Sequence, residues 1–194
     1  MALYLSGELV APNNLREQVS QDLAAIRSEF GEEFPAVNRI SFRLPWRPSS
    51  ILVDLDDATA EEVANGEYHA WDELNEMYEV TDINQLQITP TVVLDFEGML
   101  HSGRLAERYA DLPGVVQTWP NSIGGDGPTI YPRQTGNATS YLFRDAWGDC
   151  PAGCIYSEYW YFVCGGNQAA FIGHWARHAN PEVPDWWDEV KDEY

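Results

Sequence analysis

Residues 139–164 read TSYLFRDAWGDCPAGCIYSEYWYFVC. Two runs rich in aromatic and β-branched residues, Ser140 to Trp147 and Ile155 to Val163, flank a short segment of Gly, Asp, Cys, Pro and Ala. The runs have the composition of a pleated, half-buried surface, and the segment between them has turn chemistry. The stretch therefore predicts a β-hairpin. Alternate residues of a strand share a face. Tyr156, Glu158, Trp160 and Phe162 then lie on one side, with Ile155, Ser157, Tyr159, Tyr161 and Val163 on the other. Both faces are heavily aromatic, which suits a central strand covered on both sides, although a ligand-stacking surface would use the same residues.

Cys150 and Cys154 bracket the turn and form the natural disulfide pair, leaving Cys164 as a buried free thiol at the strand end. Their spacing, Cys-Pro-Ala-Gly-Cys, is one residue longer than a thioredoxin-type redox motif. It also occurs in copper sites, but no His or Met follows within reach. A structural disulfide is the preferred reading, with a redox or copper site as the alternative. A disulfide implies an oxidising compartment, so a secreted or periplasmic location is expected. No basic segment with a long apolar run stands at the start, so that expectation requires Met1-Ala2-Leu3 to replace a removed leader.

At 194 residues the expectation is a single domain over 1–194, with a core large enough to need no metal. The 44% apolar and 13% aromatic content excludes a disordered chain. With 31 acidic and 11 basic residues, the net charge is −20. Such a chain repels phosphate backbones and anionic lipid surfaces, so no nucleic-acid partner and no membrane insertion are expected. The charge forms a solvated acidic surface, or it attracts cations or a basic partner.

Outward from the hairpin, Leu3 to Val10 predicts a short strand. Leu15, Val19, Leu23, Ile26 and Phe30 recur at helical steps and predict a helix ending near Gly31. Ile40 and Phe42 alternate in a strand over Arg39–Arg43, and Ile51–Leu55 forms another. Thr59-Ala60-Glu61-Glu62 has the pattern of a capping box opening a helix that ends near Gly66. Trp71, Leu74 and Tyr78 mark a second helix over Tyr68–Tyr78. A strand is expected around Ile83–Ile88 and another at Thr91–Phe96. Ser102 caps a helix that carries Leu105, Tyr109 and Leu112, and Val115–Trp119 is the next strand. The glycine-rich run NSIGGDGP, residues 121–128, separates this part from the hairpin. Gln168–His178 predicts a helix, followed by an acidic tail with Trp186 and Trp187.

The expected fold class is α+β. Residues 50–121 follow the β-α-β-β-α-β order of a ferredoxin-like sandwich. Residues 1–49 form an N-terminal strand and helix extension, 129–164 an aromatic β-hairpin packed on the core, and 165–194 a C-terminal helix and tail.

The stretch LAERYADLPGV, Leu105 to Val115, followed by Val116 and by Trp119-Pro120-Asn121, resembles the end of subtilase propeptides and the related inhibitor I9 domains. That resemblance covers about seventy residues. It implies a ferredoxin-like fold and a protein-binding role as a protease inhibitor or chaperone, with Trp119, Pro120, Asn121, Ser122 and Ile123 meeting the protease. The chain departs from the family by continuing past this point into the glycine-rich run and the aromatic hairpin.

Three further constellations carry chemistry. His174 and His178 lie four apart, and on a helix both point one way, a zinc-ligand spacing that lacks the HEXXH glutamate. Asp54, Asp56 and Asp57, with Asp126 in the glycine-rich run, offer hard oxygen ligands suited to calcium, without EF-hand spacing. No cofactor is required, and calcium or zinc are the candidates. Tyr159, Tyr161, Trp186 and Trp187 are candidates for a structural or carbohydrate-binding surface. His69 and His101 stand alone. Asn137-Ala138-Thr139 matches a glycosylation sequon. No nucleophile elbow is present. The expected function is a non-catalytic module that binds a protein partner. The alternatives are a metal- or thiol-dependent protein using His174 and His178 or Cys150 and Cys154, and a structural or carbohydrate-binding protein.

Overall fold

The computed structural model describes residues 1–166 and 168–191. They form a mixed α and β fold with two antiparallel four-stranded sheets and six α-helices. The chain divides into two compact units. One comprises Ser6–Ala11 and Leu44–Ile123; the other comprises Met1–Leu5, Pro12–Arg43 and the chain from Gly124 onward.

In the first unit, β1 (Trp46–Leu55) leads to α4 (Asp57–Asn65) and α5 (Asp72–Met77), following the three helices of the N-terminal region described below. Then come β2 (Val80–Gln85), β3 (Thr91–Phe96), α6 (Ser102–Tyr109) and β4 (Val115–Ser122). The strands lie in the order β2-β3-β1-β4, and each is antiparallel to its neighbours. Strand alternation puts Ile51, Val53 and Leu55 on the same face as Val92, Leu94 and Phe96, all buried. That face packs with Ala60 of α4, Leu105, Ala106 and Tyr109 of α6, and Tyr68 and Trp71. The helices of this unit therefore cover one face of its sheet.

Local capping differs from the sequence expectation at two helices. The N-cap of α4 is Asp56, whose carboxylate accepts the Thr59 N–H at 2.7 Å. Thr59 lies inside the helix and is buried, because Gly114 presses against it: a Cβ at Gly114 would lie 1.9 Å from Thr59 Oγ1. The N-cap of α6 is His101, whose Nδ1 accepts the Gly103 and Arg104 N–H groups. Ser102 is fully buried and donates to the Arg47 carbonyl of β1 instead. The expected helix over Tyr68–Tyr78 shortens to α5. Tyr68 and Trp71 precede it as an edge-to-face pair with centroids 4.8 Å apart, and the Tyr68 hydroxyl donates to the Pro113 carbonyl. The strand expected at Ile83–Ile88 is shifted to β2.

The second unit opens with α1 (Ala2–Ser6), where a strand was expected, then α2 (Asn13–Phe30) and α3 (Pro35–Arg39). Residues 40–45 form no strand; the Arg43 guanidinium reaches instead to the Asp126 and Gly124 carbonyls. Its sheet runs β5-β6-β7-β8, from β5 (Thr129–Thr135), β6 (Ala138–Trp147), β7 (Tyr156–Gly165) and β8 (Gln168–Ala176). β6 and β7 are the expected hairpin, in register from Thr139↔Cys164 to Trp147↔Tyr156. Both faces are covered. Tyr141, Phe143, Trp160, Phe162 and Cys164 pack with Ile26 of α2 and with Val37 and Ile40. On the other face, Leu142, Tyr159, Tyr161 and Trp175 pack with Val190, Trp186 and Trp187.

The helix expected over Gln168–His178 is a strand. Ala169, Ala170 and the spaced aromatics read as helical, but β7 presents an unpaired edge, and pairing along it outweighs local propensity. A register shift opposite Tyr161 and Phe162 leaves room at Gly173, where a Cβ would come within 2.2 Å of Trp186 Nε1. Trp186 lies in a 3₁₀ turn, Asp185–Glu189, so the acidic tail folds back onto the sheet.

Candidate functional site

Of the expected metal ligands, Asp54, Asp56 and His174 are engaged in contacts of their own. Asp54 accepts the Thr91 hydroxyl at 3.0 Å, and Asp56 is engaged as a helix cap. The backbone N–H of Thr59 holds the Asp56 carboxyl below the usual carboxylate range. Asp57 sits in the first turn of α4, where the helix dipole favours an acid. His174 lies on a strand, and this removes the helical spacing that paired it with His178. Its Nε2 lies 2.6 Å from Glu158 Oε1, and its ring stacks on Trp160. His178, past the strand end, packs edge-on against Trp147 at 5.0 Å. Among the described residues, no three His, Cys, Asp or Glu side chains converge to hold an ion.

Cys150 and Cys154 are joined as a disulfide across a 3₁₀ turn, and Cys164 is free and buried. Burial pushes the Cys164 thiol up to about 12, so it is unreactive near neutral pH. Tyr159 and Tyr161 are only 2% and 5% exposed. Tyr159 stacks on Trp175 and meets Trp187 edge-on, while Tyr161 packs on Trp186. The four rings suggested as a carbohydrate surface thus pack on one another, with the two tyrosines buried and Trp186 and Trp187 half-buried.

Trp119–Ile123 lies along β4 and just past its end. β4 is an edge strand, and Pro120 removes one backbone donor from it, as edge strands tolerate. The Asn121 amide donates to Ser50 Oγ at 2.9 Å, and the Ile123 N–H donates to the Pro45 carbonyl. The register Trp119↔Leu52↔Val93↔Asn84 puts these four residues together on the sheet face opposite the helices. Leu52, Val93 and Trp119 are half-buried, and Asn84 is exposed. Gln117, Asp54, Asp82 and Asp95 share that face by the same alternation. Three carboxylates and no basic residue therefore surround an apolar centre.

A second arrangement had no signature in the sequence. Arg144 on β6 is nearly buried and forms a bidentate pair with Asp126, its Nη2 at 2.7 Å from Oδ2. The Asp126 carboxylate also accepts the Cys154 and Gly127 N–H groups. Its own N–H donates to the Cys150 carbonyl. Foremost among the causes, the Arg144 guanidinium holds the Asp126 carboxyl far below the usual range. Beside this pair opens a cleft of about 360 Å³ lined by Arg144, Cys154, Ile155, Tyr156, Ser157, Arg177 and His178. At its rim Trp147 and Tyr156 lie 5.9 Å apart and half-exposed. Sequence spacing could not reveal this site, because its parts come from four separate segments.

No family model, curated protein or solved structure matches the chain.

Proposed function

We propose that this chain is a non-catalytic, secreted or periplasmic module that binds a protein partner through the sheet face and edge containing Trp119. We further infer that residues 50–121 fold as a ferredoxin-like sandwich of the propeptide and inhibitor I9 kind. The strand order β2-β3-β1-β4 supports the second part. One helical segment follows β1, another precedes β4, and both lie on one side of the sheet.

The observation that carries the binding role is the composition of the face opposite those helices. Leu52, Val93 and Trp119 provide a small apolar centre, and Asp54, Asp82 and Asp95 surround it with charge of one sign. Such a face is complementary to a basic, partly apolar protein surface. Charge would steer the encounter, and the aromatic anchor would supply affinity. The resemblance nominates a subtilisin-like protease as the partner. The Cys150–Cys154 disulfide supports an oxidising compartment.

Titrating purified protein into a subtilisin-like protease, with an intact-mass check afterwards, tests the reading. Stoichiometric inhibition by an uncut chain is expected. An undiminished protease, or rapid cleavage of the added chain, would reject the inhibitor role.

A further inference from the structure

The cleft beside Arg144 lies outside the face assigned above, and its chemistry is different. In a molecule of net charge −20, it is lined by two arginines and a histidine, with no carboxylate among its lining residues. The Arg144 charge is matched by Asp126. Arg177 is exposed and makes no hydrogen bond or ion pair among the described residues. One uncompensated guanidinium fits one monoanion, and its planar fork matches a carboxylate. The adjoining rim adds flat apolar surface: Trp147 is 39% exposed, Tyr156 45% and Ile155 66%. His178 packs edge-on against both rings, at 5.0 Å and 6.2 Å. The disulfide beside Ile155 and the Asp126 bonds to both ends of its turn hold this rim in place. A preorganised ring platform next to a single free cation is suited to a ring that carries one carboxylate.

We propose that this cleft binds a ring-bearing monocarboxylate, its carboxylate on Arg177 and its ring against Trp147 and Tyr156. A uronic acid and an aromatic acid share that chemistry. Glucuronate and 4-hydroxybenzoate are titrated separately at pH 7, with glucose and benzyl alcohol as uncharged counterparts. Binding is read from the Trp147 indole N–H resonance and from calorimetry. A saturable shift with at least one acid is expected, and which acid responds identifies the source. Arg177→Gln is expected to weaken it about tenfold, the loss of one charge-assisted contact, with no change in melting temperature. Tyr156→Ala, at an exposed position, should weaken the same ligand independently. The proposal is overturned if neither acid gives a saturable shift. Equal binding of the uncharged counterparts, or full affinity in either variant, also overturns it.

Discussion

Asp126 shows most clearly how single side chains hold this molecule together. Its carboxylate accepts from Arg144, Cys154 and Gly127, and its backbone carbonyl accepts from Arg43. Removing the carboxylate leaves the nearly buried Arg144 guanidinium without its counter-ion. The Nε–H of Arg144 already lacks an acceptor. Breaking a buried pair is costly, though Asp126 is itself about a third exposed. Asp126→Ala should therefore destabilise the protein by about 2–3 kcal/mol in urea unfolding. His101 acts through its protonation state. Its Nδ1 caps α6 only as an acceptor, so the capped form is the neutral one, and burial lowers its pKa. A depressed histidine contributes stability fully above its unfolded value of about 6.5, and loses it as pH falls through the folded value. Wild type should lose melting temperature between pH 7 and pH 5 more steeply than His101→Asn, which caps without titrating. Parallel pH profiles for the two proteins would count against a titrating cap.

At the scale of elements, β8 and the turn that covers it are the most informative. The Trp186 indole lies where a side chain at residue 173 would project. Gly173→Ala must displace the ring or the strand, at about 1–3 kcal/mol for overpacking. A red-shifted tryptophan emission should report the released cover; an unchanged spectrum and stability would show that Trp186 does not depend on Gly173. This element was also misleading in the sequence. Ala169, Ala170, Trp175 and His178 imitate a helical stretch, and only pairing with β7 reveals the strand. The α2 face was legible because Leu15, Val19 and Ile26 repeat at the helical period and are all buried. The β6–β7 hairpin was legible because aromatic runs flank a cysteine-bracketed turn. The caps at Asp56 and His101 were not. His101 lies beside Ser102, a residue type that caps more commonly, and Asp56 lies three residues before the Thr59 of a capping-box pattern; burial of Thr59 and Ser102 decides the matter. The Asp126–Arg144 pair was hidden for a different reason: nothing in the local sequence relates a glycine-rich run to a strand residue 18 positions later.

For the whole molecule, the question is where a charge of −20 is concentrated and what it faces. No described helix is long and apolar enough to cross a membrane. Within the unit containing Leu44–Ile123, the helices occupy one sheet face. The other carries Trp119, Leu52 and Val93 among three carboxylates. If that face is the binding surface, binding must respond to charge placed on it without loss of folding. Gln117 and Asn84 are exposed positions on the face, so a lysine at either offsets one of its three carboxylates while the core stays intact. The most direct measurement is an inhibition titration of a subtilisin-like protease by wild type and by Gln117→Lys, with melting temperatures recorded alongside. The account predicts stoichiometric inhibition by wild type and inhibition weakened about tenfold in the variant, at unchanged melting temperature. Absence of inhibition, or equal inhibition by both proteins, would contradict it.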